Sequence, residues 1–272
     1  MADSARKVVV VGGARIPFCR SNTAYAKQSN QQMLTAALKA CVNKYNLKGK
    51  TLGEVSGGTV LHLHPAQCLT REAMMDSGLA AATPAYDVQQ YCGTSLETLI
   101  LVANKIALGQ IDSGIAAGVD TTSDAPIGVN EGLRKIMMEI NRARTTQDRL
   151  KAVAKIRPSH IVPAIPANQE PRTGKSMGQS CEDMAQAWGI KRQDQDKLAY
   201  ESHMKAAAAY KDGFYDDIVF PHAGVKVDNN MRADSTIEKL STLNPVFSKS
   251  EAATLTAANS TPLTDGAAAV FL

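Results

Sequence analysis

Strand-like and helix-like segments alternate through the first 125 residues, and this order admits few architectures. Lys7–Gly13 is a continuous valine run ending in Gly-Gly, which predicts a buried strand. Asn30–Tyr45 puts Met33, Leu34, Ala37, Leu38 and Cys41 on one helical face. Glu54–Leu61 predicts a strand, Ala66–Ser77 a helix stopped by Gly78, and Ala85–Gln90 another strand. Ser95–Leu108 predicts a helix that is apolar on nearly all sides and therefore buried. Gly114–Val119 is a further Gly- and Ala-rich strand. The β-α-β-α-β-α-β order predicts an α/β layered fold: a mixed, mostly parallel sheet with helices on both faces. Aromatic residues make up only 5% of the chain, which suits close helix-on-sheet packing. Ligands of such sheets gather beyond the carboxyl ends of the strands.

Cys92 lies at one of those ends, between the strand-like Pro84–Tyr91 and the helix-like run from Gly93. A single cysteine is often no more than a small buried hydrophobe. A thiol at a strand-to-helix turn is different, because the field of a helix start favours thiolate over thiol. Gly93, Thr94 and Ser95 are small and leave room for a substrate to approach the sulfur. This pattern predicts a nucleophile.

The five cysteines, at 19, 41, 68, 92 and 181, are scattered and form no Cys-x-x-Cys pair. That disfavours a disulfide framework or a zinc cage and predicts reduced thiols in a cytosol-like compartment. No apolar run approaches the roughly 20 residues that span a bilayer. The N-terminus lacks the apolar core of a secretory signal. Gly12-Gly13 is not a dinucleotide fingerprint, since no Gly-x-Gly-x-x-Gly follows. His62 and His64 share a strand face, but no Cys, Asp or Glu nearby completes a metal site. His203 lies on a charged helix and reads as structural; His160 is the one histidine placed where substrate is expected.

Charge is uneven. The net charge is only +4, yet Leu133–His160 carries eight basic side chains against Glu139 and Asp148. This is a local feature and not a nucleic-acid signature. Residues from about 126 to 175 also break the strand–helix alternation and end in a Pro-rich stretch, so they predict an inserted lid. Ile136, Met137, Ile140, Leu150, Val153 and Ile156 are expected to be ordinary lid packing, with a basic amphipathic docking surface as the alternative. Beyond Gln179 the chain is helical again, with Lys191–Tyr210 as a long helix; Ile218–Pro221 and Lys226–Val227 are short strand signals. The last residues, up to Leu272, read as a loop and then a buried strand, and more chain is expected to follow.

Several segments together resemble the thiolase family, the acyl-CoA:acetyl-CoA C-acyltransferases. They are Arg15–Phe18, Cys92-Gly-Thr-Ser-Leu-Glu97, Ser176-Met-Gly-Gln-Ser-Cys-Glu182, Gln195–His203, Gly213–Pro221, Leu243–Phe247 and Thr256–Ala269. The basic insert and the Ala-Ala-Asn-Ser-Thr wording resemble the fatty-acid β-oxidation type, including the thiolase subunit of trifunctional complexes. The resemblance implies a thiolase-like layered fold, N-terminal half only. Residues 1–272 would be the N-terminal domain with the insert at about 126–175. The family's second half carries an activating histidine in Gly-His-Pro and a second cysteine in Cys-x-Gly-Gly; neither motif occurs here.

The implied chemistry is acyl transfer through an acyl-thioester on Cys92. The implied CoA contacts are Met177, Arg232, Phe247, Ala257 and Thr261. Arg232 reads equally as a solvated surface arginine, and Phe247 as a core residue. Two departures stand out: Ser176 occupies a position where some relatives have His, and Thr94 one that is often Ser. CoA thioesters are substrates, so no cofactor and no metal is implied. The implied partners are acyl-CoA and CoA, a second copy in a homodimer through the sheet edge, and a hydratase/dehydrogenase α-subunit. Peripheral membrane contact would come through the basic lid. Backbone N–H groups at the helix start are expected to help the oxyanion. Competing readings are a condensing enzyme of the ketoacyl or hydroxymethylglutaryl-CoA synthase type, and a non-catalytic acyl-CoA-binding or assembly subunit.

Overall fold

The computed structural model describes residues 5–62 and 67–272. It divides into two compact units, residues 1–124 with 175–272, and residues 125–174.

The first unit is built on one sheet in the order β1-β6-β5-β3-β4. The strands are β1 (Gly12–Arg15), β3 (Glu54–Gly57), β4 (Ala85–Asp87), β5 (Gly114–Asp120) and β6 (Thr264–Phe271), and the two-residue β2 (Cys19–Arg20) pairs with β6. The sheet is mixed, as expected, but not mostly parallel: β6 runs antiparallel to β1, β2 and β5, and only the β3–β4 and β3–β5 pairs are parallel. Its β5-β3-β4 arm is parallel, with Val55 opposite both Ala85 and Ile115; its β1-β6-β5 arm is antiparallel, with Phe271 opposite both Gly12 and Ile115.

Alternation along β5 sends Ile115, Ala117 and Val119 to one face and Ala116 to the other. The first face is covered by α1 (Asn30–Lys44) and α2 (Leu69–Ser77). In α1, Ser29 and Gln32 form a reciprocal capping box, and Met33, Leu34, Leu38 and Val42 are fully buried. The Asp87 carboxylate at the end of β4 caps α2, accepting the Leu69 N–H at 2.7 Å and the Thr70 N–H at 2.8 Å. The second face meets α3 (Thr94–Ala107), where Val102 and Ile106 pack with Ala116 and Leu272.

Two expectations shift. The strand predicted at Lys7–Gly13 lies at Gly12–Arg15, and Val9, Val10 and Val11 are more than half exposed. Phe271, opposite Gly12, is the last residue of β6; the Val11 N–H still donates to Phe271 O at 2.9 Å, while Val9 and Val10 lie outside the strand. The helix predicted as buried, α3, buries only one seam, and Leu96 and Ile100 are exposed. Ile218–Pro221 makes one parallel bridge, Val219 to Arg15, and no strand. Ala66 and His64 lie outside the described residues, so the helix from Ala66 is seen from Leu69 onward and the His62–His64 pair has no description.

The remaining helices of this unit are α6 (Met177–Ala187), α7 (Arg192–Lys211) and the short α8 (Ile237–Ser241). No described helix is long and apolar enough to cross a membrane.

The second unit is a hairpin of α4 (Glu131–Arg142) and α5 (Thr146–Val153), capped by Asn130 and Thr145. Glu139 pairs with Lys155 across it, and Gly128 and Ala164 exchange backbone hydrogen bonds at 2.7 and 2.8 Å. Only Ile136 and Ala152 are buried in this unit. The expected packing therefore holds for Ile136 and in part for the half-buried Ile140: Met137, Leu150, Val153 and Ile156 are exposed, because two short helices close a single seam. His160 sits here, its Nδ1 accepting the Arg157 N–H at 3.2 Å.

Candidate acyl-transfer site

The chain leaves β4, runs through Val88–Gln90, makes one 3₁₀ turn at Tyr91–Gly93 and enters α3. Cys92 sits in that turn and is exposed. It opens on a hollow of about 300 Å³ whose walls include Phe18, Val60, Tyr91, Asp120 and Ala267. The thiol is therefore reachable, and it lies beyond the carboxyl ends of β3, β4 and β5, where such sheets bind ligands.

Two features place it. Tyr91 has φ of +47°, left-handed for a bulky residue, so the backbone bends sharply just before the sulfur. Gly118 on β5 lets the first turn of α3 approach: a Cβ there would lie 1.8 Å from Ser95 Oγ. The rim is closed by Asp120, whose carboxylate accepts the Val60 N–H at 2.8 Å, the Leu61 N–H at 3.2 Å and the Thr59 hydroxyl at 3.1 Å. The helix start offers fewer oxyanion donors than expected. The Gly93 N–H donates to Gln90 O at 3.0 Å, and the Thr94 N–H to Tyr91 O.

Three of the other cysteines are less accessible than Cys92. Burial pushes Cys19 up to about 11 and Cys41 up to about 12. Cys68 is half-buried and also raised by burial; Cys181 is exposed. No group of three or more His, Cys, Asp or Glu among the described residues could hold a metal ion.

A larger hollow of about 760 Å³ lies along α6 and α7. Of the five candidate CoA contacts it gathers Arg232, Ala257 and Thr261. Met177 and Phe247 lie outside its lining, and they meet one another's segment instead. The Phe247 ring lies against the Gly178 backbone, where a Cβ would come within 2.1 Å of it. Arg232 is exposed, its N–H donating to Nδ1 of His203 at 3.2 Å, so His203 steadies the loop that carries it.

Carboxylates, three of them buried and Asp228 half-buried, fix several loops of this unit, and sequence reasoning did not assign them. Asp228 takes a bidentate bond from Arg15 at 2.7 and 2.9 Å and the Phe18 N–H at 2.7 Å. Glu182 accepts from Thr254 N at 2.9 Å and Leu255 N at 2.8 Å. Burial alone would raise the Glu182 carboxyl, but hydrogen bonds from Leu255, Gln186 and Thr254 outweigh it and hold the group below its ordinary range. Asp196 accepts from Arg192 at 2.7 Å and from Asn259 at 2.9 Å. Asp265 binds Thr121 Oγ1 at 2.9 Å and Thr122 N at 3.0 Å. Glu182, Asp196 and Asp265 stand inside the segments that carry the resemblance, and that position was the available signal.

The family model described as "Thiolase, N-terminal domain" matches residues 8–272. The chain belongs to the thiolase family. Curated relatives agree: a 3-ketoacyl-CoA thiolase of Photobacterium profundum is 40% identical over 98% of this chain and 62% of its own length. That of Aliivibrio fischeri is 38% identical over 98% of this chain and 61% of its own length. The chain thus spans less than two thirds of these thiolases. Among solved structures, the Acat5 thiolase from Ascaris suum in complex with coenzyme A aligns with a TM-score of 0.80 at 22% identity, over 98% of this chain and 65% of that one. Human mitochondrial 3-ketoacyl-CoA thiolase in complex with CoA aligns at 0.78 and 23%, over 96% and 63%. These likenesses establish the thiolase fold.

Proposed function

We propose that this chain is the nucleophile-bearing part of an acyl-CoA:acetyl-CoA C-acyltransferase acting on 3-ketoacyl-CoA. The observation that carries the reading is the exposed Cys92 on its strand-to-helix turn, facing a hollow at the strand ends. The Cys92 thiolate attacks the 3-keto carbonyl. The bond between the α-carbon and that carbonyl breaks, and the acetyl-CoA carbanion leaves and takes a proton. The shortened acyl group stays on sulfur as a thioester. A second CoA thiolate then attacks that thioester, releasing acyl-CoA and restoring Cys92. The condensation direction runs the same steps backward.

By family resemblance, the base histidine and the second cysteine belong to the C-terminal half, so this chain alone turns over little. The larger hollow with Arg232, Ala257 and Thr261 takes part of CoA, and Met177 and Phe247 supply a neighbouring contact. The open edge at β4 supports a homodimer, and five free thiols suit a reducing, cytosol-like compartment.

The test is mass spectrometry after mixing the protein with acetyl-CoA or a 3-ketoacyl-CoA. The expected result is an acyl adduct on the Cys92 peptide that Cys92→Ser abolishes. No adduct there, in protein that also contains the C-terminal half, would sink the reading. A condensing enzyme is separated by comparing thiolysis of acetoacetyl-CoA with that of longer ketoacyl-CoA. A non-catalytic binding subunit would show CoA binding without an adduct.

A second reading adds to the first. The unit at 125–174 exposes Met137, Leu150, Ile161 and Ile165 among unpaired and paired basic side chains. This favours docking, to a hydratase/dehydrogenase α-subunit or to an anionic membrane. Pelleting with anionic and neutral vesicles, with and without this unit, separates the two: binding to neither leaves the protein partner.

A further inference from the structure

The turn that carries Cys92 is held by side chains that the chemistry above leaves unused. Thr94 is 4% exposed, and its hydroxyl faces back into the turn. That hydroxyl donates to Tyr91 O at 2.7 Å and accepts the Gln90 N–H at 2.9 Å. Gln89 completes the set from the other side. Its Oε1 accepts the Tyr91 N–H at 3.0 Å, and its Nε2 donates to Val60 O at 3.0 Å. Both backbone polar groups of Tyr91 thus have side-chain partners, and Tyr91 is the residue with the left-handed φ of +47°. A strained conformation persists only where its surroundings over-determine it. Val60 is in turn held by Asp120, so the turn is tied through Gln89 to the end of β5 as well as to α3.

We propose that Thr94 and Gln89 are positioning residues for Cys92. They lock Tyr91 in its left-handed conformation and so hold the sulfur at the start of α3, facing the hollow. Neither touches a reacting atom. The proposal rests on Cys92 being the nucleophile, but its test does not need turnover.

The test is peptide-resolved labelling with iodoacetamide in the native protein, reading the rate at Cys92 against that at Cys181. Cys181 is the internal reference because it is also exposed and lies on α6. Thr94→Val keeps the shape and removes the hydroxyl; Thr94→Ser keeps the hydroxyl. Gln89→Ala removes an exposed side chain, so the fold survives it. Thr94→Val should lower the Cys92:Cys181 ratio about tenfold, and Gln89→Ala about threefold, sizes suited to the loss of one or two hydrogen bonds that fix a reactive group. Thr94→Ser should stay within about twofold of the parent, as expected if the hydroxyl is what matters. An unchanged ratio in Gln89→Ala overturns the proposal, even if Thr94→Val fails to fold. So does a Thr94→Ser ratio as low as that of Thr94→Val. In protein with measurable thiolysis, the same variants should lower kcat and leave KM for CoA within about twofold, since the CoA hollow is untouched. A loss confined to KM overturns it too. If labelling behaves as expected but Cys92 never acylates, the turn is positioned as described and the acyl-transfer reading is the one that fails.

Discussion

Helices α1 and α3 sit on opposite faces of the same sheet and look alike in length, yet they are buried very differently. Nine residues of α1 are buried, four of them large side chains with no exposure at all. In α3, the more apolar of the two, burial falls on Thr94, Thr98, Val102 and Ile106, one residue in four, while Leu96 is 64% exposed. A helix that is apolar all round requires cover on all sides. In this chain α1 has its cover and α3 has only the sheet. The helix with the open face is also the one that begins at the candidate nucleophile. In the thiolase reading, the C-terminal half supplies both the missing cover and the missing catalytic groups.

The contrast can be broken or sharpened by substitution. The largest effect belongs to Cys92→Ser, which should reduce thiolysis by the complete enzyme about 10³-fold or more, while its thermal midpoint stays that of the parent. A fall in both would make Cys92 a structural residue like those of α1. Next comes Leu38→Ala in α1, which should cost about 2–5 kcal/mol in urea unfolding. Leu96→Ala in α3 should stay within about 0.5 kcal/mol in this chain and cost more in protein containing the C-terminal half. Equal costs in the two proteins would mean that nothing covers α3. Gly118→Ala should cost about 1–3 kcal/mol, because the new methyl collides with Ser95, and adding Ser95→Gly should recover most of it. Additive losses in that cycle would disprove the close approach.

A further effect concerns Glu182 and depends on pH. Its folded-state value lies below the ordinary 4.5, so its contribution is present above pH 4.5 and is lost as pH falls through the folded value. Glu182→Gln should therefore lower stability by about 1–2 kcal/mol at neutral pH, with the gap closing in acid. A gap that stays constant with pH would mean that the carboxylate's charge does not matter.

Local features were the most legible in the sequence. The apolar face of Asn30–Tyr45, the stop at Gly78 and the turn at Cys92 are all encoded within a few residues. Partners distant in sequence were not. The valine run at 8–11 has the composition of a central strand, but a strand needs a neighbour, and pairing partners are not written in composition. Asp228 looks like one more loop acid until the fold brings Arg15 and Phe18 to it from the other end of the chain. Likewise, four of the five candidate CoA contacts lie in the motifs that carry the resemblance and Arg232 is placed by its spacing to Phe247 alone, yet only Arg232, Ala257 and Thr261 line the larger hollow.

The position of β6 has a consequence for how the molecule is made. It lies between β1 and β5, so Gly12 and Ala116 both wait for residues much later in the sequence, Phe271 and Val270, before their pairing with β6 can form, although β5 already pairs with β3. On the ribosome, the strands already synthesised must remain with open edges while α6 and α7 emerge. That delay predicts slow folding dominated by distant pairings, and a newborn chain that depends on chaperones to keep those edges from joining with one another.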